Sequence, residues 1–311
     1  MTGTVLVTGA SGFAGSHLVQ LLATRGPVTA WTRSTPPLEI ANLATWKQVD
    51  LLDRSAVRKS ILELRPEAVY HCAGSPHVST SWADTTLPLA SNVMATHHLL
   101  ESLGAAGGGA RVLIPGSAMV YAPSDSAIAE SHPVHPASPY ALSKLAQELL
   151  ALQAMVEDRV EVVVARAFNH TGPRQTADFA APSFARQIAL IERGEQAPVM
   201  KVGNLAAQRD LTDVRDMVRA YVALMEKGAS GDIYNVASGT PRPIQSVLDG
   251  LLARSKVSVR VDADPERMRP HDIPILAGDA TRLRNATGWI PEISFERMLE
   301  DLLDYWRFRA G

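Results

Sequence analysis

A chain of 311 residues, 46% of them hydrophobic, can bury the core of one large or two moderate domains. Its 30 basic and 32 acidic residues leave a net charge of −2, which excludes a bulk electrostatic pull toward nucleic acid or a membrane surface. The single cysteine, Cys72, excludes an internal disulfide and fits a reducing compartment; it sits in the apolar run 68–72 as buried filler. With no basic leader and no long apolar span, the expectation is a cytoplasmic protein that does not enter a membrane.

The first element is the β-branched run 4–8, which ends in Gly9-Ala10-Ser11-Gly12-Phe13-Ala14-Gly15 and passes into a helical pattern at 17–22. Strand, glycine turn and helix in that order let backbone N–H groups approach a pyrophosphate at the positive end of the helix. The spacing is G-x-x-G-x-x-G and not the usual G-x-G-x-x-G, so a structural turn is the other reading. The next strand, 28–31, ends at Thr32-Arg33-Ser34, where an acidic residue would hold the ribose hydroxyls of NAD. No acid is there. Arg33 and Ser34 could meet a 2′-phosphate, which favours NADP(H) over NAD(H), or Arg33 could be an exposed loop arginine. At Val49-Asp50-Leu51 a third strand ends, and Asp50 could accept from an adenine amino group or begin a turn.

A strand at 68–72 leads into a Ser/Pro/Thr-rich loop, and a long amphipathic helix is expected from about Asp84 to Leu103. The glycine-rich connector 104–109 precedes the strand 111–114, which delivers Ser117 at its C-terminal end, the edge where an open parallel sheet binds ligands. Another strand is expected over 160–166. Alternating strands and helices predict a doubly wound parallel α/β (Rossmann) sheet over 1–166, with a smaller α/β substrate-binding part over 167–311. The run 232–236 reads as one more core strand, so a return to the first domain is expected near 206–240.

At the start of the helix opening at Pro139, Tyr140 and Lys144 lie four apart and share one face. An ammonium beside a phenol favours the phenolate, so the Tyr140 pKa is expected below its reference of about 10. That would make Tyr140 a proton donor or acceptor. The histidines have none of the spacings of a metal site, and His97 and His98, being adjacent, cannot face one way on a helix. No metal is expected.

Gly9, Gly12 and Gly15, then Ser117-Ala118-Met119-Val120-Tyr121, then Tyr140-x-x-x-Lys144, together resemble the extended short-chain dehydrogenase/reductase family over essentially the whole chain. The resemblance implies a Ser-Tyr-Lys triad. In it Tyr140 is the acid/base, Lys144 lowers its pKa and holds the nicotinamide ribose, and Ser117 hydrogen-bonds the substrate oxygen. Those roles suit ketone reduction, where an alkoxide needs a proton donor and a second hydrogen bond.

The runs 166–175, 203–210, 267–270 with 278–279, and 287–291 resemble the branch that holds GDP-mannose 4,6-dehydratases and GDP-4-keto-6-deoxymannose reductases. This implies a nucleotide-diphosphate sugar as substrate, with Arg174, Arg209 and Arg269 as diphosphate or ribose contacts, and Asn169 and Asn204 on the substrate side. Arginine suits phosphate through its paired donors. The dehydratases carry Thr-Ser-Glu where this chain has Ser117-Ala118-Met119, and Met119 cannot move a proton. The expectation is reduction of a preformed 4-ketone, the GDP-linked 4-keto-6-deoxy hexose, to GDP-D-rhamnose or its C4 epimer. A nucleotide-sugar epimerase with tightly held NAD and a non-catalytic dinucleotide sensor are the alternatives, and a homodimer is expected from the helices at 84–103 and 139–155.

Overall fold

The computed structural model describes residues 3–76, 80–267 and 273–309, the side chain of Thr80 excepted. Short runs of branched and small apolar residues form β1 (Val5–Thr8), β2 (Val28–Thr32), β3 (Thr45–Gln48), β4 (Ala68–His71), β5 (Arg111–Ser117), β6 (Glu161–Ala167) and β7 (Ile233–Val236). All are parallel neighbours in one sheet of order β7-β6-β5-β4-β1-β2-β3. The helices that matter for the site are α1 (Phe13–Ala23), α2 (Arg54–Leu64), α3 (Ala95–Ala105), α4 (Pro139–Glu157), α5 (Ala180–Glu192), α6 (Val214–Lys227), α7 (Ile244–Leu252) and α8 (Phe295–Arg309).

The sheet is buried on both faces, and the period of two along each strand sorts its residues between them. Val5, Val7, Tyr70, Leu113 and Val163 pack on the side of α1 and α6. Leu6, Val69, Val112, Ile114, Val162 and Val164 pack on the side of α2, α3 and α4. Strand order reverses between β1 and β4, so their C-terminal ends open the crevice where a doubly wound sheet takes its ligand.

The run expected at 232–236 returns to this sheet as β7, beside β6. Most of the remaining chain builds a second core. There α5, α7 and α8 pack around the parallel pair Val199–Val202 and Arg260–Ala263, with Phe184, Ile188, Met200, Leu251 and Leu302 at the centre. Two buried carboxylates tie the second part down. Asp210 accepts from the Ser238 N–H and hydroxyl and from Gly239 N, while Asp216 accepts from Glu292 N and Ile293 N.

One element differs from expectation. The helix read as continuous from Asp84 to Leu103 is a turn at Thr86–Pro88, a π-helical segment over Leu89–Met94, and then α3. The wider turn brings Asn92 inward to full burial, where Oδ1 accepts from Ser75 N at 2.8 Å and Nδ2 donates to Ser143 Oγ at 2.9 Å. No helix among the described residues is long and apolar enough to cross a membrane.

Candidate active site

The glycine turn does two jobs that a side chain would prevent. Gly9 has φ of +62°, and a Cβ there would lie 2.5 Å from Ala73 N. A Cβ on Gly15 would lie 2.2 Å from the Gly9 carbonyl oxygen, so that glycine lets α1 sit against the turn. Gly12 caps α1 without a side chain, leaving the first-turn N–H groups to whatever occupies the turn, which fits a pyrophosphate. Phe13, at the first position of α1, stacks on His170 with ring centres 5.6 Å apart.

Ser11 Oγ lies 2.7 Å from Thr32 Oγ1, which holds the glycine turn to the end of β2. Beyond it Arg33 and Ser34 are exposed, and Ser34 N donates to Thr32 Oγ1. Asp50 is exposed, and its Oδ1 accepts from Leu52 N at 3.0 Å as a turn former does, the rest of the carboxylate facing solvent. Leu51 is buried, and its carbonyl meets His98 Nδ1.

Ser117 closes β5 and accepts from Met119 N at 3.2 Å. Ser138 caps α4 by accepting from Ala141 N, and Pro139 follows at the first helical position, so Tyr140 enters the cleft from a fixed first turn. Ser117 and Tyr140 meet here, and burial pushes the Tyr140 phenol above its ordinary value, with Ser117 pulling the other way. The lowered tyrosine pKa expected from Lys144 is therefore corrected. The Lys144 ammonium turns to Gln147 Oε1, and burial brings its own pKa down to about 8, with Cys72 and Glu148 opposing.

The arginines and asparagines read as substrate contacts are distributed differently. Arg174 has φ of +74° and lies on α1, with Nη2 donating to His17 Nδ1 at 2.7 Å and to Gln20 Oε1 at 2.8 Å. His17 in turn meets the Pro173 carbonyl at 2.8 Å, and burial brings its pKa down to about 3, Arg174 adding to the effect. Arg209 Nη1 donates to the Gln208 and Ile273 carbonyls. Asn204 is exposed and accepts from Ala206 N, and Asn169 is exposed just after β6. Arg269 lies outside the described residues.

Three features were missed in the sequence. A buried pair joins Arg166 on β6 to Glu148 on α4, at 2.9 and 2.5 Å, with the guanidinium 4.6 Å from the centre of the Tyr121 ring. Tyr121 then donates to Asn235 Oδ1 on β7 at 2.6 Å, so the end of β5, α4, β6 and β7 are locked together. The third is a polar chain behind Lys144 through Gln147, Thr96 and His71. For Gln147 a signal existed, because a residue three after Lys144 shares its helical face.

A glycine turn that leaves a helix N-terminus bare at the switch point of a parallel sheet, beside Ser117, Tyr140 and Lys144, defines an NAD(P)-dependent enzyme of the extended short-chain dehydrogenase/reductase type. The profile of the GDP-mannose 4,6 dehydratase family matches residues 6–302, and the chain belongs to that family. It is 36% identical to GDP-6-deoxy-D-mannose reductase of Pseudomonas aeruginosa, covering 100% of this chain and 99% of that one. The structure of RMD from Pseudomonas aeruginosa complexed with NADPH superposes with a TM-score of 0.86 at 35% identity, covering 99% and 100% of the two chains. MoeE5 in complex with UDP-glucuronic acid and NAD gives 0.86 at 28% identity, again over 99% and 100%.

Proposed function

We propose that the protein reduces GDP-4-keto-6-deoxy-D-mannose at C4, with NADPH as the preferred donor, to GDP-D-rhamnose or its C4 epimer. One observation carries the choice within the family. Met119, two residues beyond Ser117, occupies the place of the glutamate that the dehydratases resembling this chain carry, and its half-buried thioether packs in an apolar cluster. A thioether neither takes nor gives a proton, so loss of water has no acid or base there. Similarity to a reductase over the full chain, and to a structure with NADPH, supports the same reading.

When bound, the nicotinamide supplies hydride to C4. Tyr140 gives its proton to the resulting alkoxide, and Ser117 donates a hydrogen bond to the same oxygen. A phenol whose pKa is raised by burial stands protonated at neutral pH, which is the form a reduction consumes. Lys144 holds the nicotinamide ribose, the glycine turn at Gly9, Gly12 and Gly15 takes the pyrophosphate, and the exposed Arg33 and Ser34 meet the 2′-phosphate.

The test is NADPH and NADH oxidation with the GDP-linked 4-ketone, generated in the same tube by a dehydratase, beside its dTDP analogue. Consumption of NADPH with the GDP sugar is expected, and Tyr140→Phe lowers kcat by about a hundredfold or more while leaving NADPH affinity unchanged. No consumption, with NAD already held by the purified protein, would replace this reading with an epimerase.

The same reading includes a homodimer. Leu142, Leu149 and Val156 recur every seven residues along α4 and are exposed, with exposed Leu89 and Met94 nearby in sequence to α3. Sedimentation at micromolar concentration is expected to show a dimer, and Leu149→Arg to shift it to monomer.

A further inference from the structure

The polar side chains behind Lys144 form a chain whose protons can be placed by counting. Thr96 Oγ1 donates to the Asn92 carbonyl at 2.6 Å, which uses its single proton. The two remaining contacts of that oxygen, with Gln147 Nε2 at 2.7 Å and His71 Nε2 at 2.9 Å, are therefore donated to it. His71 is then the Nε2–H tautomer, and its Nδ1 accepts from the Thr8 hydroxyl at 2.8 Å. The Gln147 amide is fixed by the same logic. Its NH2 is needed by Thr96, so Oε1 faces the Lys144 ammonium; the flipped amide would set NH2 against the ammonium.

All the members are buried, and no carboxylate takes part. His71 stays neutral, because burial brings its pKa down to about 3, Lys144 adding to the effect. Cys72 also faces the ammonium from beyond β4, and Glu148 from α4, but the Glu148 carboxylate is taken by Arg166. Among the described residues Gln147 is thus the acceptor of the ammonium, on the side of Lys144 away from Tyr140 along the helix.

We propose that Gln147 is a positioning residue for Lys144: anchored through Thr96 and His71, it holds the ammonium in the cofactor-free protein and determines the place from which Lys144 reaches the cofactor. The proposal rests on Lys144 being the residue that holds the nicotinamide ribose. A neutral acceptor grips a cation while still letting it go; a carboxylate there would bind it more tightly, and an alkyl group not at all.

The experiment uses the full chain labelled with ¹³Cε-lysine, the Lys144 signal being identified by its loss in Lys144→Met. Titrated without cofactor, the Lys144 signal is expected to move to lower pH in Gln147→Leu and to higher pH in Gln147→Glu, because the acceptor favours the charged form. Gln147→Leu is also expected to lower kcat about tenfold, with the sugar KM within about twofold and the pH profile displaced in the same direction as the titration. A merely structural role would move both variants alike or neither. A Lys144 titration unchanged in both variants overturns the proposal. Should Gln147→Leu not fold, Gln147→Met, which also removes the amide acceptor, takes its place, a downward shift with lowered kcat supporting the proposal and no shift overturning it. Near-normal turnover of Lys144→Met, with the titration order intact, would remove the cofactor role of Lys144 and leave the grip of Gln147 standing.

Discussion

Two cations, the buried Lys144 and the half-buried Arg174, are each backed by a neutral histidine, His71 through Gln147 and Thr96 and His17 by direct contact, and the two arrangements differ in what holds the charge. Lys144 is held by a residue one turn along its own helix, and the chain behind it ends at His71 and Thr8 on adjacent strands. Arg174 is held by His17 and Gln20, more than 150 residues earlier, so it fastens the turn after β6 to α1. A lysine responds to burial by losing affinity for its proton, whereas a guanidinium remains charged. The lysine is thus adjustable, and the arginine works as a clamp.

Both arrangements require an uncharged imidazole, and this gives the largest expected effect. His17 and His71 have pKa values of about 3 in the folded protein against 6.5 for the free side chain. The unfolded chain therefore takes up their protons first, and stability is complete above pH 6.5 and lost as pH falls toward 3. Each imidazole contributes up to about 1.4 kcal/mol per pH unit. Burial also holds the His170 pKa below its ordinary value, so His170 adds to the slope. Urea unfolding between pH 7 and 5, above the range where most carboxylates titrate, is expected to show the combined slope, and His71→Gln to remove roughly a third to a half of it. A flat stability over that interval would mean that the two histidines are not buried neutral.

The clamp is tested by Arg174→Ala. It leaves His17 Nδ1 without its donor and is expected to cost about 2 kcal/mol of stability, the usual loss for a hydrogen bond to a charged group. The sugar KM should change by less than about threefold. An unchanged melting temperature with KM raised tenfold would return Arg174 to the diphosphate, the role its motif implied.

The same contrast explains what could be read in the sequence. The glycine turn, Ser117 and the first turn of α4 were legible because each is set by local chain direction: a strand must end, a helix must start, and the sheet edge gathers the ends. Even the return of β7 showed as a short apolar run. Arginine partners were not legible, since a long side chain is directed by whichever distant carbonyl or carboxylate the fold brings near, as Arg209 finds Ile273 O and Arg166 finds Glu148. The inward turn at Asn92 was hidden as well, because a π-helical segment keeps the apolar periodicity of an ordinary helix on either side. The direction of the Tyr140 pKa is hidden for a related reason: the i, i+4 spacing places Lys144 on the right face but does not say which acceptor its ammonium takes.

The last effect separates the two cations directly. If the Lys144 ammonium holds the cofactor, binding needs a proton that Lys144 begins to lose near pH 8. Above that pH each unit should weaken NADPH binding by up to tenfold, because the proton must first be restored. Other groups nearby do not imitate this. The 2′-phosphate has already lost its second proton near pH 6, arginines do not titrate, and burial pushes the Cys72 thiol up to about 12. Fluorescence titration of the cofactor-free protein with NADPH from pH 7 to 10 reads the slope. Lys144→Arg, which keeps a charge at every pH in the range, should flatten it. A slope of zero in the unaltered protein would show that the ammonium is not among the contacts of the cofactor.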